Sequence, residues 1–318
     1  MNSSNEIVIK RNLDKLRREM GDDIAKAMQD RKIVEIMLNP DGVVWIDSLG
    51  SGMKRLCNMD ETAALQMLGT IAHLLGTVIN AENPKVEGEL PGDGSRVEGA
   101  IYPIVQKPTF AIRKKASEVY PLTDYVTESR IKVHDYEIIK KAVTSRKNIL
   151  IVGGTGSGKT TFANAILNEM TLLTPEHRVL ILEDTEELQC SMPNKVPMRT
   201  NENITLRQLL RMAMRLRPDR IIVGEVRGGE ALDMLKAWNT GHPGGLCTVH
   251  ANDALAGLIR IEQLISEVSQ SRMVDLIAEA IDLVIFLQRH PTKGPQLLEI
   301  IEIKGVNEDQ YQYKNLRE

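Results

Sequence analysis

Residues 148–161 read NILIVGGTGSGKTT: an apolar run, a glycine-rich turn, then a lysine and two threonines. Positions 153–160 fit GxxxxGK[ST], and the run before them has the length and composition of a fully buried strand. The reason for the pattern lies in the backbone. Glycines let the chain curl so that successive N–H groups point inward at phosphate oxygens. A helix starting at Lys159 then adds the positive end of its dipole. On this reading Gly153, Gly154, Thr155, Gly156, Ser157, Gly158, Lys159, Thr160 and Thr161 cradle phosphates. Lys159 reaches the β- and γ-phosphates, and the Thr160 hydroxyl ligates Mg²⁺. A strand before the turn and a helix after it select a nucleoside triphosphate site over a chance glycine-rich turn.

Downstream, short apolar runs recur at 178–182, 220–223, 246–249 and 283–287, with helix-patterned stretches between them. Strands alternating with helices predict an α/β domain built on a parallel sheet. Upstream the rhythm differs. Residues 12–30 are charged, with Leu13, Leu16, Ile24 and Met28 at helical spacing; a strand is expected at 43–47, and a helix capped by Asp60 at 59–80. Two further short strands are expected at 97–103 and 109–114. The organisation expected is a smaller N-terminal α+β, PAS-like domain over 1–125, a linker at 126–133 and a P-loop domain over 134–318.

Composition narrows the function classes. The 318 residues are 42% hydrophobic and 26% charged, which excludes a disordered tail or a collagen-like repeat. Forty basic against 43 acidic residues leave a net charge of −3, so no global basic field holds nucleic acid. Two Trp, six Tyr and three Phe are too few for a base-stacking platform, and direct nucleic-acid binding is not expected. Cys57, Cys190 and Cys247 are scattered and form no CxxC pair, as buried thiols in a reducing compartment would be. Without a signal-peptide core or a run long enough to span a bilayer, a cytoplasmic protein is expected.

Acidic residues close two of the strand runs. Glu183 and Asp184 follow the 178–182 run, where the carboxyl edge of a parallel sheet borders the ligand crevice. They are expected to hold Mg²⁺ through water or to orient the attacking water, whereas Glu186 and Glu187 read as a solvated acidic loop. The 220–223 run ends in Gly224 and Glu225. A P-loop NTPase usually carries an acid at the first of these positions; with glycine there, Glu225 is cast as the water-polarising base. His242 and His250 lie eight residues apart with no cysteine at ligand spacing, which argues against zinc. The residues alone leave His250 open between a γ-phosphate sensor, a partner of Glu225 and a satisfied structural group.

Taken together, GGTGSGKTT (153–161), ILEDTEEL (181–188), RPDRIIVGEVRGGEA (217–231) and TGHPGGLCTVHAN (240–252) resemble the secretion-ATPase superfamily in order and spacing. Size and the single small domain before the motor are most similar to the type IV secretion branch and, within it, to the TrbB-like conjugal transfer ATPases. PGDGSRVEGAIYP (91–103) and FAIRKK (110–115) extend the resemblance upstream. No tetracysteine zinc motif is present, unlike in the type II secretion motors.

The resemblance implies a RecA-like motor domain, ATP with Mg²⁺, and a hexameric ring with nucleotide between each subunit's two domains. It implies inner-membrane channel components as partners, with peripheral contact at the cytoplasmic face. It assigns Glu183 and Asp184 to the Asp box, Glu225 to Walker B, and His242 and His250 to the His box. Arg96 and Arg113 match the family's phosphate-reaching arginines, with Arg130 a weaker match. Rival readings are a DNA-stimulated RecA-like translocase and a nucleotide-gated assembly scaffold with little turnover.

Overall fold

The computed structural model describes residues 3–48, 51–115, 119–290 and 294–317; residues 1–2, 49–50, 116–118, 291–293 and 318 lie outside that description. It separates into two units, Met1–Ser117 and Glu118–Glu318.

The first unit opens with α1 (Ser3–Gln29), whose helical geometry breaks at Gly21. Its strands are β1 (Ile33–Leu38), β2 (Val43–Ser48), β3 (Gly52–Asn58), β4 (Lys85–Glu89), β5 (Arg96–Ala100) and β6 (Thr109–Arg113), with α2 (Glu61–Leu74) between β3 and β4. They form one antiparallel sheet in the order β3-β2-β1-β6-β5-β4. Helix α2 starts where expected because the Asp60 carboxylate accepts the N–H groups of Thr62 and Ala63 at 2.8 and 3.1 Å. Leu16 and Ile24 from α1 and Met67, Leu68 and Ile71 from α2 bury against Ile36, Val97, Phe110 and Ile112 of the sheet. The α+β character matches expectation, but α2 is shorter than 59–80 and β1, β3 and β4 were not foreseen. Edge strand β3 carries Lys54 and Arg55 in a mostly exposed run, which removes the alternation that marks a strand.

The second unit contains α3 (Leu122–Thr127), α4 (Val133–Thr144), β7 (Ile149–Gly153), α5 (Lys159–Leu173), β8 (Val179–Glu183), β9 (Lys195–Arg199), α6 (Leu206–Ala213) and β10 (Arg220–Val223). It continues through α7 (Glu230–Asn239), β11 (Leu246–Val249), α8 (Ala254–Ser266), α9 (Val274–Ala280), β12 (Leu283–His290), β13 (Gly294–Asn307) and β14 (Gln310–Asn315). The strand order is β14-β13-β12-β7-β11-β10-β8-β9. From β12 to β9 every pair is parallel, as expected, while β13 and β14 extend the sheet antiparallel.

Both faces of this sheet are covered. Leu150 and Val152 pack in one core with Leu180, Leu182, Ile221 and Val223 beneath α6–α9. Ile149 and Ile151 pack in the other with Val179, Ile181 and Ile222 beneath α3–α5. Two buried faces explain why these strands read as unbroken apolar runs.

The linker expected at 126–133 is not found there. Leu122, Tyr125 and Ile131 are buried in the second core, and the Tyr125 ring meets Phe162 edge-on with centroids 5.2 Å apart. The boundary between units falls at residues 117–118 rather than near 125. Thr123, Asp124, Thr127 and Glu128 interleave with these three anchors, so a helix of one and a half turns looks polar in sequence. Among the described residues, no helix is long and apolar enough to cross a membrane.

Candidate functional site

Strand β7 delivers the chain to the glycine-rich loop from the middle of the sheet. Ile149, Leu150, Ile151 and Val152 are fully buried, each worth about 1.5–3 kcal/mol relative to exposure, and this anchors the strand end. Gly158 takes a left-handed φ of 89° and α5 begins at the next residue. Lys159 is buried and its Nζ donates to the carbonyls of Gly153 and Gly154 at 2.9 and 3.0 Å. Ser157 Oγ is buried with no hydrogen-bond partner among the described residues, and Thr161 lies half-buried on the first turn of α5.

Thr160 and Asn164 are four residues apart and share a face of α5. That face meets the segment following β8. The Thr160 hydroxyl donates to Glu187 Oε2 at 3.1 Å; Asn164 donates to the Glu187 carbonyl at 3.3 Å and accepts the Gln189 N–H at 2.8 Å. Glu183, buried at the end of β8, accepts the N–H groups of Glu187 and Leu188 at 3.0 and 2.9 Å. Burial pushes its pKa up to about 7, against the opposing pull of those two N–H groups. Glu183 therefore shapes the loop, and Glu187 is the carboxylate that reaches Thr160.

Three contacts in this acidic stretch are not visible in the sequence. Asp184 accepts the Thr200 hydroxyl at 3.0 Å, Glu183 Oε1 accepts two backbone N–H groups, and Glu187, read as part of a solvated loop, is the carboxylate in contact with Thr160. The signal that could have found Glu187 is the Thr160/Asn164 pair, two polar side chains on one helix face that need partners. The structure also accounts for Gly224. A Cβ there would lie 2.9 Å from Glu183 Cγ, so Glu183 occupies the space that an acid would need at that strand end.

Glu225 follows Gly224 and is paired on both oxygens. Oε1 lies 2.8 Å from His250 Nε2; Oε2 accepts Arg227 Nε at 2.6 Å and pairs with Nη2 at 2.5 Å. The His250 Nδ1 lies 3.4 Å from Lys159 Nζ. Lys159 Nζ is also 3.5 Å from His250 Nε2, so the lysine sits almost equally near both ring nitrogens, while Nε2 faces Glu225. The result is a row Lys159–His250–Glu225–Arg227 along one flank of the loop. Of the three options left open for His250, it holds the contact to Glu225.

His242 is not part of this row. It precedes β11, whereas His250 follows it, and its Nδ1 lies 3.2 Å from the Ala237 carbonyl. Four strand residues at about 3.3 Å each separate the two histidines. Arg96 and Arg113 belong to the first unit, on β5 and β6. Arg130 belongs to the second, paired with Glu128 at 2.6 Å and lying 5.6 Å from the Tyr125 ring centroid.

Thr160 and Glu187 supply a hydroxyl and a carboxylate, hard oxygen donors that suit Mg²⁺ beside substrate phosphates. The loop amides and the lysine have the chemistry of an anion site, and the Glu225 carboxylate near them has that of a general base.

The chain matches the type II/IV secretion system protein family over residues 23–296. It is 48% identical over 298 residues to the conjugal transfer protein TrbB of Rhizobium radiobacter, covering 94% of this chain and 92% of that protein. To the type IV secretion system protein VirB11 of Bartonella henselae it is 30% identical over 319 residues, covering 84% and 87%. Two solved structures share the fold. The Legionella pneumophila ATPase DotB aligns with TM-score 0.64 at 19% identity over 86% of this chain and 78% of that one. The pilus retraction motor PilT with bound ADP aligns with TM-score 0.62 at 20% identity over 87% and 81%. The chain belongs to the type II/IV secretion system protein family.

Proposed function

We propose that the chain is a Mg²⁺-dependent ATPase that works as a hexameric ring at the cytoplasmic face of the inner membrane, driving a conjugative or type IV secretion apparatus. One observation carries the enzymatic part: a carboxylate, Glu225, stands one histidine away from the phosphate-loop lysine. Conjugal transfer and type IV secretion relatives along most of the chain support the setting.

In this mechanism Lys159 turns from the Gly153 and Gly154 carbonyls to the β- and γ-phosphates. Glu225 takes a proton from a water whose oxygen attacks the γ-phosphorus, and the bond to the bridging oxygen breaks with its electron pair leaving on ADP. His250 holds Glu225 on one oxygen, and the other turns from Arg227 to engage the water. Thr160 and Glu187 would hold Mg²⁺, which would neutralise charge developing on the phosphates. Arg96 and Arg113, with Arg130, supply further phosphate contacts in the manner of the family.

The test is ATP turnover per subunit as protein concentration rises through the assembly range. A cooperative rise supports a ring whose sites are completed by assembly; a flat, low rate favours the scaffold reading. Lys159→Ala should lose nucleotide affinity and turnover, and Glu225→Gln should bind ATP but release phosphate slowly. If both variants match wild type, the site lies elsewhere. Stimulation by single-stranded DNA that fades steeply with salt would favour a translocase.

A further inference from the structure

Strand β7 divides the loop's surroundings into two flanks. On one, β11 leads to His250 beside Lys159, and Glu225 follows β10. On the other, β12 runs parallel to β7 with Leu287 opposite Gly153, so the residues beyond Leu287 travel alongside the loop. Arg289 is two residues further and half-buried. A Cβ built on Gly156 would lie 3.6 Å from Arg289 Nη1, which places the guanidinium next to the loop at Gly156.

The placement is braced. Strand β13 turns back antiparallel and pairs Pro295 with Arg289. The Pro295 ring rests on the loop, with its Cγ 2.6 Å from where a Cβ on Gly158 would be. A proline and an arginine, opposite each other on one hairpin, thus flank the stretch from Gly156 to Gly158.

We propose that Arg289 binds the nucleotide at its α-phosphate end, from the flank opposite the hydrolytic row. The reasoning rests on the ATP-site reading above. Glu225, His250 and Lys159 fix where the γ-phosphate lies. A polyphosphate threaded through the loop from that end leaves toward the other flank, beside Arg289. Its planar guanidinium presents forked donors that match phosphate oxygens. Unlike Arg96 and Arg113, it is carried by the same unit as the loop.

The prediction separates binding from chemistry, because a contact made equally to substrate and product changes KM and not kcat. In full-length protein, Arg289→Ala should raise the KM for ATP and the Kd for ADP by the same factor, about tenfold or more. Arg289→Lys should fall between the two, keeping charge without the fork. Arg289→Gln keeps side-chain bulk and carries the test should the alanine variant fail to fold. Unchanged ADP affinity overturns the proposal, as does a loss confined to kcat, which would move Arg289 to the γ side. The two readings fail separately. Wild-type protein that neither binds nor hydrolyses Mg·ATP removes the ATP site itself, whereas a Lys159→Ala defect beside normal Arg289 variants removes only Arg289.

Discussion

Arg96 and Arg113 stand directly opposite each other across the β5–β6 pair. Opposed residues of antiparallel strands share a face with Cβ atoms about 4.5–5.5 Å apart, and like charges so placed destabilise the sheet. On the proposed function, both contact phosphates. Arg113 is exposed, so Arg113→Thr should leave stability unchanged or raise it by a few tenths of a kcal/mol. Turnover should fall by about 10³-fold with ATP still bound. Denaturant melts alongside steady-state turnover check both halves; normal turnover removes Arg113 from the phosphates.

Glu187→Gln keeps the loop pinned by Glu183 and Asn164 but removes the charge facing Thr160. Turnover should drop by about 10–100-fold, most severely at low Mg²⁺. Glu186→Gln, on the exposed neighbour, should leave the Mg²⁺ dependence as it is. A Mg²⁺ titration of both variants decides between Glu187 and the rest of the acidic stretch.

Gly257 on α8 lies against Val152 at the end of β7. A Cβ there would sit 2.5 Å from Val152 Cγ2, a side chain buried in the core. Alanine would gain about 1 kcal/mol of helix propensity, yet overpacking costs about 1–3 kcal/mol, and the close approach decides the sign. Gly257→Ala should lower the denaturation midpoint and weaken nucleotide binding, since α8 presses on the strand that carries the loop. A midpoint equal to or above wild type would mean that α8 yields freely.

His177 accepts a hydrogen bond from the fully buried Arg220 at 3.0 Å. Burial, and then the Arg220 charge, hold its pKa below the ordinary 6.5, while Glu176 and Asp219 pull the other way. A histidine with a lowered folded pKa stays neutral in the folded chain while the unfolded chain already takes up a proton. Its contribution is therefore complete above pH 6.5 and declines as pH falls below that value. His177→Gln keeps an acceptor for Arg220 and should flatten this part of the pH–stability curve. Chemical denaturation of both proteins at several pH values would expose parallel curves if His177 is not responsible.

The motor sheet was legible because Leu150 and Val152 face one core and Ile149 and Ile151 the other. Burial on both sides leaves an apolar run that sequence displays directly. The phosphate loop and Glu225 were legible for a related reason: their chemistry depends on neighbours in sequence. Glu187 and Arg289 were not. Each is placed by partners far along the chain: Glu187 by Thr160 and Asn164, and Arg289 by the pairing of β12 with β7, where Leu287 lies opposite Gly153. The missed helix at Leu122–Thr127 shows the same limit, since Tyr125 becomes core only through Phe162.

The row Lys159–His250–Glu225–Arg227 has one more implication. Each group in it already has a polar partner within the chain, so an incoming anion meets an internal competitor. It binds only by offering Lys159 more than the Gly153 and Gly154 carbonyls and His250 already do. A long polyphosphate, held at the same time by the loop amides, meets that threshold; a lone orthophosphate has far fewer contacts with which to meet it. On the proposed function, this makes orthophosphate the product that the row holds less firmly.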